Sequence, residues 1–297
     1  MTDIPDEDHE IEASRAPLLD HLVELRHRLI VCAGALVVGF GVCMVFARQI
    51  FLFLTLPFGR AQDLLAAQKA AHGHQGSLDL LLVVMGLKQV PHTAAPAVNL
   101  VATGVLETFF TYVKLAGFGA IVVTFPVLAY QLYRFVAPGL YKRERRAFLP
   151  FLIASPVLFL VGAGLVYFVM LPFVLWFSLN QQITSTAGVS VLLLPKVSEY
   201  LTLVTSLLLA FGLCFQLPVV LALLGMAGIV STQVLVSVRR YAIVGVFIVA
   251  AILTPPDPIS MMTLALPGVL LYEVSILCVW LIERRKRKED AAAEAAG

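Results

Sequence analysis

Two carboxylates stand where this chain could do chemistry. Glu144 lies among Lys142, Arg143, Arg145 and Arg146 in the segment Phe135-Val-Ala-Pro-Gly-Leu-Tyr-Lys-Arg-Glu-Arg-Arg146, between two long apolar runs. With four cations around it Glu144 stays charged, and an ionised carboxylate accepts both N–H groups of a guanidinium fork. Local neutralisation of a basic loop is the plainer reading of the same residue. Glu24 lies in His21-Leu-Val-Glu-Leu-Arg-His-Arg-Leu29, one helical turn before Arg28, while Leu22, Leu25 and Leu29 mark a separate apolar face. Its two readings are a solvated pair at a helix end and a carboxylate offered to a ligand.

Other chemistry is poorly represented. There is no G-x-x-x-x-G-K-[ST] phosphate loop, no H-E-x-x-H zinc motif and no G-x-S-x-G elbow. His9, His21 and His27 precede the first apolar run, and His72, His74 and His92 follow it in a polar excursion, so none is placed as an intramembrane proton relay. Cys32, Cys43, Cys214 and Cys278 sit in apolar runs without metal-ligand spacing. No catalytic residue, metal, cofactor or nucleic-acid partner is expected.

The elements that must position the two acids are membrane helices. Hydrophobic residues make up 60% of the 297 and charged residues 13%, with a mean hydropathy of +0.91, against roughly 25% charged in a soluble domain. A bilayer core takes about 20 apolar residues per helix. Such runs occur at about 28–48, 108–136, 147–179, 198–229, 237–253 and 258–282. Thr254-Pro-Pro-Asp-Pro258 separates the last two. The fold class expected is an all-α bundle of six spans. Pro126, Pro156, Pro172 and Pro218 should kink its helices into a concave shape.

Cations set the orientation. Fifteen of the 21 fall on one side: Arg15, Arg26, Arg28, Arg134, Lys142, Arg143, Arg145, Arg146, Arg239, Arg240 and the run Arg284 to Lys288. Five (Arg48, Arg60, Lys69, Lys88 and Lys196) fall on the other, and Lys114 lies within a span. Positive charge marks the cytoplasmic face, so both termini and both carboxylates belong there.

Residues 1–16 read as a disordered acidic tail without a cleavable leader, 17–282 as the membrane domain, and 283–297 as a basic, Ala-rich cytoplasmic tail. A long periplasmic excursion covers about 58–98, in which the short apolar stretch 78–87 reads as an interfacial helix rather than a span. Among polar residues near or in the spans, Glu107 and Glu199 read as helix caps and Lys114 as a snorkelling side chain. Gln216 reads as interhelical glue. Glu273 is an intramembrane acid and hence a functional candidate.

Three motifs together resemble the TatC family, the multispanning signal-peptide receptor of the twin-arginine protein translocase. They are His21 to Leu29, the start of Phe135 to Arg146, and Leu253-Thr-Pro-Pro-Asp257; Phe109 to Leu115 and Phe215-Gln-Leu-Pro218 agree. The resemblance spans about residues 17–282. It implies a non-enzymatic receptor in the bacterial inner membrane that binds twin-arginine signal peptides. With the single-span partners TatA and TatB, such a receptor exports folded proteins on the proton-motive force and self-associates in a larger complex.

By that resemblance Glu24 and Glu144 read the two arginines, and Arg26, Leu29 and Phe135 shape the surrounding pocket. Thr254 and Met261 fall where partner helices dock. Gln216 replaces a glutamate found in many members, and Glu107 and Asp257 complete the intramembrane and periplasmic polar set. Pairing Glu144 with Glu24 on one face makes the arginine-reading role the preferred one for both. A secondary transporter of a small solute is the rival reading. It calls for internal repeats and midplane charges, and neither is evident here.

Overall fold

The computed structural model describes residues 7–70, 100–136, 149–180, 183–186, 189–191, 195–253 and 258–294. Its helices are α1 (Glu7–Val45), α2 (Ala47–Ala70), α3 (Glu107–Val136), α4 (Leu149–Leu165), α5 (Leu171–Asn180), α6 (Val197–Cys214), α7 (Leu217–Met226), α8 (Thr232–Leu253) and α9 (Pro258–Glu294). A π-helical turn, Val166–Met170, joins α4 to α5. A short antiparallel pair, β1 (Ile183–Thr186) and β2 (Val189–Val191), follows α5 and was not foreseen in the sequence.

Among the described residues, six stretches are long and apolar enough to cross a membrane: Val23–Val45, Glu107–Arg134, Phe151–Asn180, Val197–Met226, Thr232–Leu253 and Leu264–Lys288. These are the six expected spans. The first and last helices extend beyond their spans. α1 is already helical at Glu7, inside the segment expected to be a disordered tail. Glu and Ala favour helix there, and acids complement the positive end of the helix dipole. At the other end α9 runs on to Glu294, through the basic residues expected to form a separate tail.

α2 was also not anticipated. It starts after a one-residue break at Phe46, and Leu54, Phe58, Ala61 and Leu64 bury one face of it at helical spacing. That face packs on α5 and α3. Pro57 inside α2 has no N–H, which leaves the carbonyl of Phe53 without its partner one turn on. The hydroxyl of Tyr167, in the π turn, donates to Phe53 O at 2.6 Å, and that of Tyr200 in α6 donates to Leu54 O at 2.7 Å. Both tyrosines are buried and form the main core with Leu171, Leu175, Val204 and Leu207.

Pro172 and Pro218 stand at breaks in the helical ladder, whereas Pro156 lies inside an unbroken α4. Pro172 follows the π turn, whose wider winding makes room for a ring where the regular ladder cannot. Before Pro218 the ladder tightens, with Gln216 N donating to Leu213 O at 2.9 Å, and α7 restarts with the proline in its first turn. This break exposes amide chemistry in the middle of a span. Gln216 supplies it: its Nε2 donates to Ser155 O at 2.8 Å while Ser155 Oγ donates to Gln216 Oε1 at 2.7 Å. The glue role expected of Gln216 is therefore met by a reciprocal pair with α4. Buried Thr124 and Ser275 return their hydroxyl protons to carbonyls one turn back, at 2.7 Å each.

Close approach brings α4 against α6. A Cβ on Gly212 would lie 2.5 Å from the Phe159 ring, and Phe159 in turn stacks on Phe125 of α3 at 4.1 Å. Gly212→Ala is therefore expected to destabilise the protein by about 1–3 kcal/mol, read as a lower melting temperature in detergent. The Ser155–Gln216 pair makes a second expectation. A double-mutant cycle with Ser155→Ala and Gln216→Leu should return a coupling energy of about 0.5–1.5 kcal/mol, and strict additivity would show that the pair contributes nothing.

Candidate functional site

Glu24 and Arg28 form an ion pair one turn apart at the start of the first span. The Arg28 side chain is only 12% exposed and that of Glu24 is 35% exposed. A guanidinium entering an apolar span is stable only when its charge and its N–H groups are met. The other side of the Arg28 fork supplies a second contact, Nη1 donating to Gln131 Oε1 of α3 at 3.4 Å. α1 and α3 pack along their lengths, with Gly39 of α1 facing Thr124 and Ala120 of α3.

The consequence is positional. The carboxylate of Glu24 sits at the end of the α1–α3 pair where α3 terminates at Val136, the end from which the basic segment Phe135 to Arg146 departs. Arg26 and Leu29 are exposed on α1. Glu144, Thr254 and Asp257 lie outside the described residues, as do the side chain of Phe135 and the apolar stretch 78–87. Met261 is half-buried against the main core.

At the opposite end of α3, Glu107 ties two helix starts together. Its Oε2 accepts from Thr103 N at 2.6 Å and Gly104 N at 3.1 Å, closing the turn that opens α3. Its Oε1 accepts from Ser198 Oγ at 2.6 Å and Ser198 N at 3.2 Å, in the first turn of α6. The backbone repeats the link: Val101 N donates to Pro195 O and Val197 N to Val101 O, both at 3.1 Å. Capping was legible for Glu107, but a cap shared between two spans was not. Glu199 lies in the first turn of α6 and pairs with Lys196 at 3.5 Å.

Glu273 and Glu283 are engaged between α8 and α9. Glu273 meets Arg239 Nε at 2.5 Å, so this intramembrane candidate is one half of an interhelical ion pair. Glu283 accepts from Thr232 N and Thr232 Oγ1, both at 2.9 Å, and caps α8 from a neighbouring helix. Sequence reasoning passed over Gln131, Thr232 and Glu283. Their partners lie dozens of residues away, and only the Thr at a helix start carried a local signal. Among the described residues no group of three His, Cys, Asp or Glu side chains is gathered as a metal site.

Comparison with known proteins sets this arrangement in context. The family model described as Sec-independent protein translocase protein (TatC) matches residues 20–267. The chain is 41% identical over 281 residues to the Sec-independent protein translocase protein TatC of Magnetococcus marinus, covering 95% of this chain and 90% of that one. It is 35% identical to the protein of the same name from Escherichia coli, covering 88% and 86%. A crystal structure of the twin-arginine translocase receptor TatC superposes with a TM-score of 0.67 at 32% identity, over 89% of this chain and 99% of that one. None of these comparisons supports the solute-transporter reading. A six-span membrane protein that matches the family model over most of its length and these relatives over nearly all of it, the chain belongs to the TatC family of Sec-independent protein translocase proteins.

Proposed function

We propose that this chain is the signal-peptide receptor of its translocase, with Glu24 and Glu144 as the carboxylates that read the paired arginines. The observation that carries the reading is the Glu24–Arg28 pair: the carboxylate already holds a guanidinium, at the end of the α1–α3 pair where α3 terminates at Val136, eight residues before Glu144 in the sequence. Planar, fork-shaped donors suit such an acceptor better than a lysine ammonium does. Arg26, Leu29 and Phe135 border the site, their exposure or position suiting contact with the residues around the arginine pair.

Both termini lie in the cytoplasm of a bacterial inner membrane in this reading. The 15-to-5 distribution of cations supports it. So does the end of α9, where Arg284 lies over the Trp280 ring at 5.2 Å, an aromatic anchor beside positive charge. The signal peptide's apolar part then lies along the spans, while TatA and TatB helices dock near Thr254 and Met261. α8 supports that docking: it packs chiefly on α9, and Val234, Val244, Ile248 and Ile252 are exposed. In a bilayer such a face meets either lipid or another helix.

The chain acts as a receptor and scaffold rather than an enzyme, it self-associates in the assembled translocase, and its driving energy comes from the proton-motive force. The absence of a nucleotide-binding motif supports this. Asp257 and Glu107 belong to the far side, where Glu107 serves the fold.

Glu24→Ala and Glu144→Ala are each expected to weaken binding of a twin-arginine signal peptide roughly tenfold, as for loss of a partly hydrated charge pair, and together to stop transport. Peptide crosslinking and precursor export from inverted membrane vesicles measure this. Wild-type affinity in both variants would show that the arginines are read elsewhere.

A further inference from the structure

We propose that Arg28 is a specificity-determining residue that occupies the Glu24 carboxylate as an internal stand-in for the ligand's guanidinium, so that a signal-peptide arginine binds by exchange. The inference rests on the reading of Glu24 given above and adds a competitor built into the same helix.

Three observations converge. Arg28 pairs with Glu24, its Nη1 also reaches Gln131 Oε1 at 3.4 Å, and its Nε is buried without a hydrogen-bond partner. The Arg28 fork is therefore incompletely satisfied, with one N–H unmet and one bond near the distance limit. Glu24, in contrast, is about three times as exposed as Arg28, so its carboxylate is the more accessible member of the pair.

Exchange keeps Arg28 hydrogen-bonded within the bundle. An incoming guanidinium takes over Glu24 from the solvent side while Gln131 retains the other arm of Arg28. The bound state holds two guanidinia and one carboxylate there, an excess positive charge that a second acid on the ligand's path must offset. The competition has a defined effect on recognition. A ligand that engages Glu24 must outcompete Arg28, which lowers its apparent affinity by the fraction of receptors in the paired state. A lysine forms no fork and competes less well.

Removing the competitor therefore tightens binding. With full-length protein in nanodiscs and a synthetic peptide carrying the arginine pair, Arg28→Gln is expected to raise affinity about threefold to tenfold. A peptide with lysines in place of both arginines should gain less. Arg28→Lys, which keeps a cation without the fork, should give a smaller increase and guards against a folding defect in the glutamine variant.

The Glu24→Gln variant separates the two layers. If it weakens binding, and Arg28→Gln tightens binding only while Glu24 is present, the exchange model holds. If Glu24→Gln weakens binding but Arg28→Gln and Arg28→Lys both leave affinity unchanged or lower it, Arg28 merely positions Glu24 and the inference is overturned with the site intact. If Glu24→Gln has no effect, the site itself is misassigned and the inference falls with it.

Discussion

Hydrocarbon offers no hydrogen-bond partners, and this single constraint explains where the chain places its polar side chains. Each proline inside a span removes a donor, and the carbonyl it strands must be met from within the protein. The same holds for Pro57 of α2, which packs beside the spans: it strands Phe53 O, and Tyr167 meets it from a π turn that itself accommodates Pro172. Pro218 interrupts the fourth span, and Gln216 and Ser155 close a reciprocal pair beside the break. Polar residues at depth thus serve the backbone and hold helices together. That leaves the ends of the helices as the places where charge is available for recognition.

The two ends differ in kind. Around Glu107 the carboxylate's bonds go to two helix starts, and the result is a fixed joint between α3 and α6. Around Glu24 the carboxylate meets a guanidinium of its own helix and remains about one-third exposed. The first arrangement is saturated by the fold. The second leaves part of its carboxylate accessible, as the proposed arginine-reading role requires, and a solved relative is a twin-arginine translocase receptor. Arg28 bridges α1 and α3 through Gln131.

The spans were legible because a run of about 20 apolar residues is a physical requirement rather than a pattern. α2 was not, because Pro57, Arg60, Gln62 and Asp63 break its apolarity and its buried face shows only as Leu54, Phe58, Ala61 and Leu64 at helical spacing. Glu24 with Arg28 could be read from local spacing. Gln131 could not, since it stands 103 residues from Arg28, and the same holds for Ser198, 91 residues from Glu107. The acids that looked functional by depth alone, such as Glu273, proved to have structural partners that depth does not reveal.

The most direct test of the receptor site is photocrosslinking from Leu29, which is exposed five residues beyond Glu24, with Val105 at the opposite end of the bundle as the control position. A precursor carrying the arginine pair is expected to crosslink at Leu29 and not at Val105, and the Leu29 adduct should be lost when both arginines are changed to lysine. Equal adducts at Leu29 with the lysine pair, or adducts concentrated at Val105, would contradict an arginine-reading site at the Glu24 end.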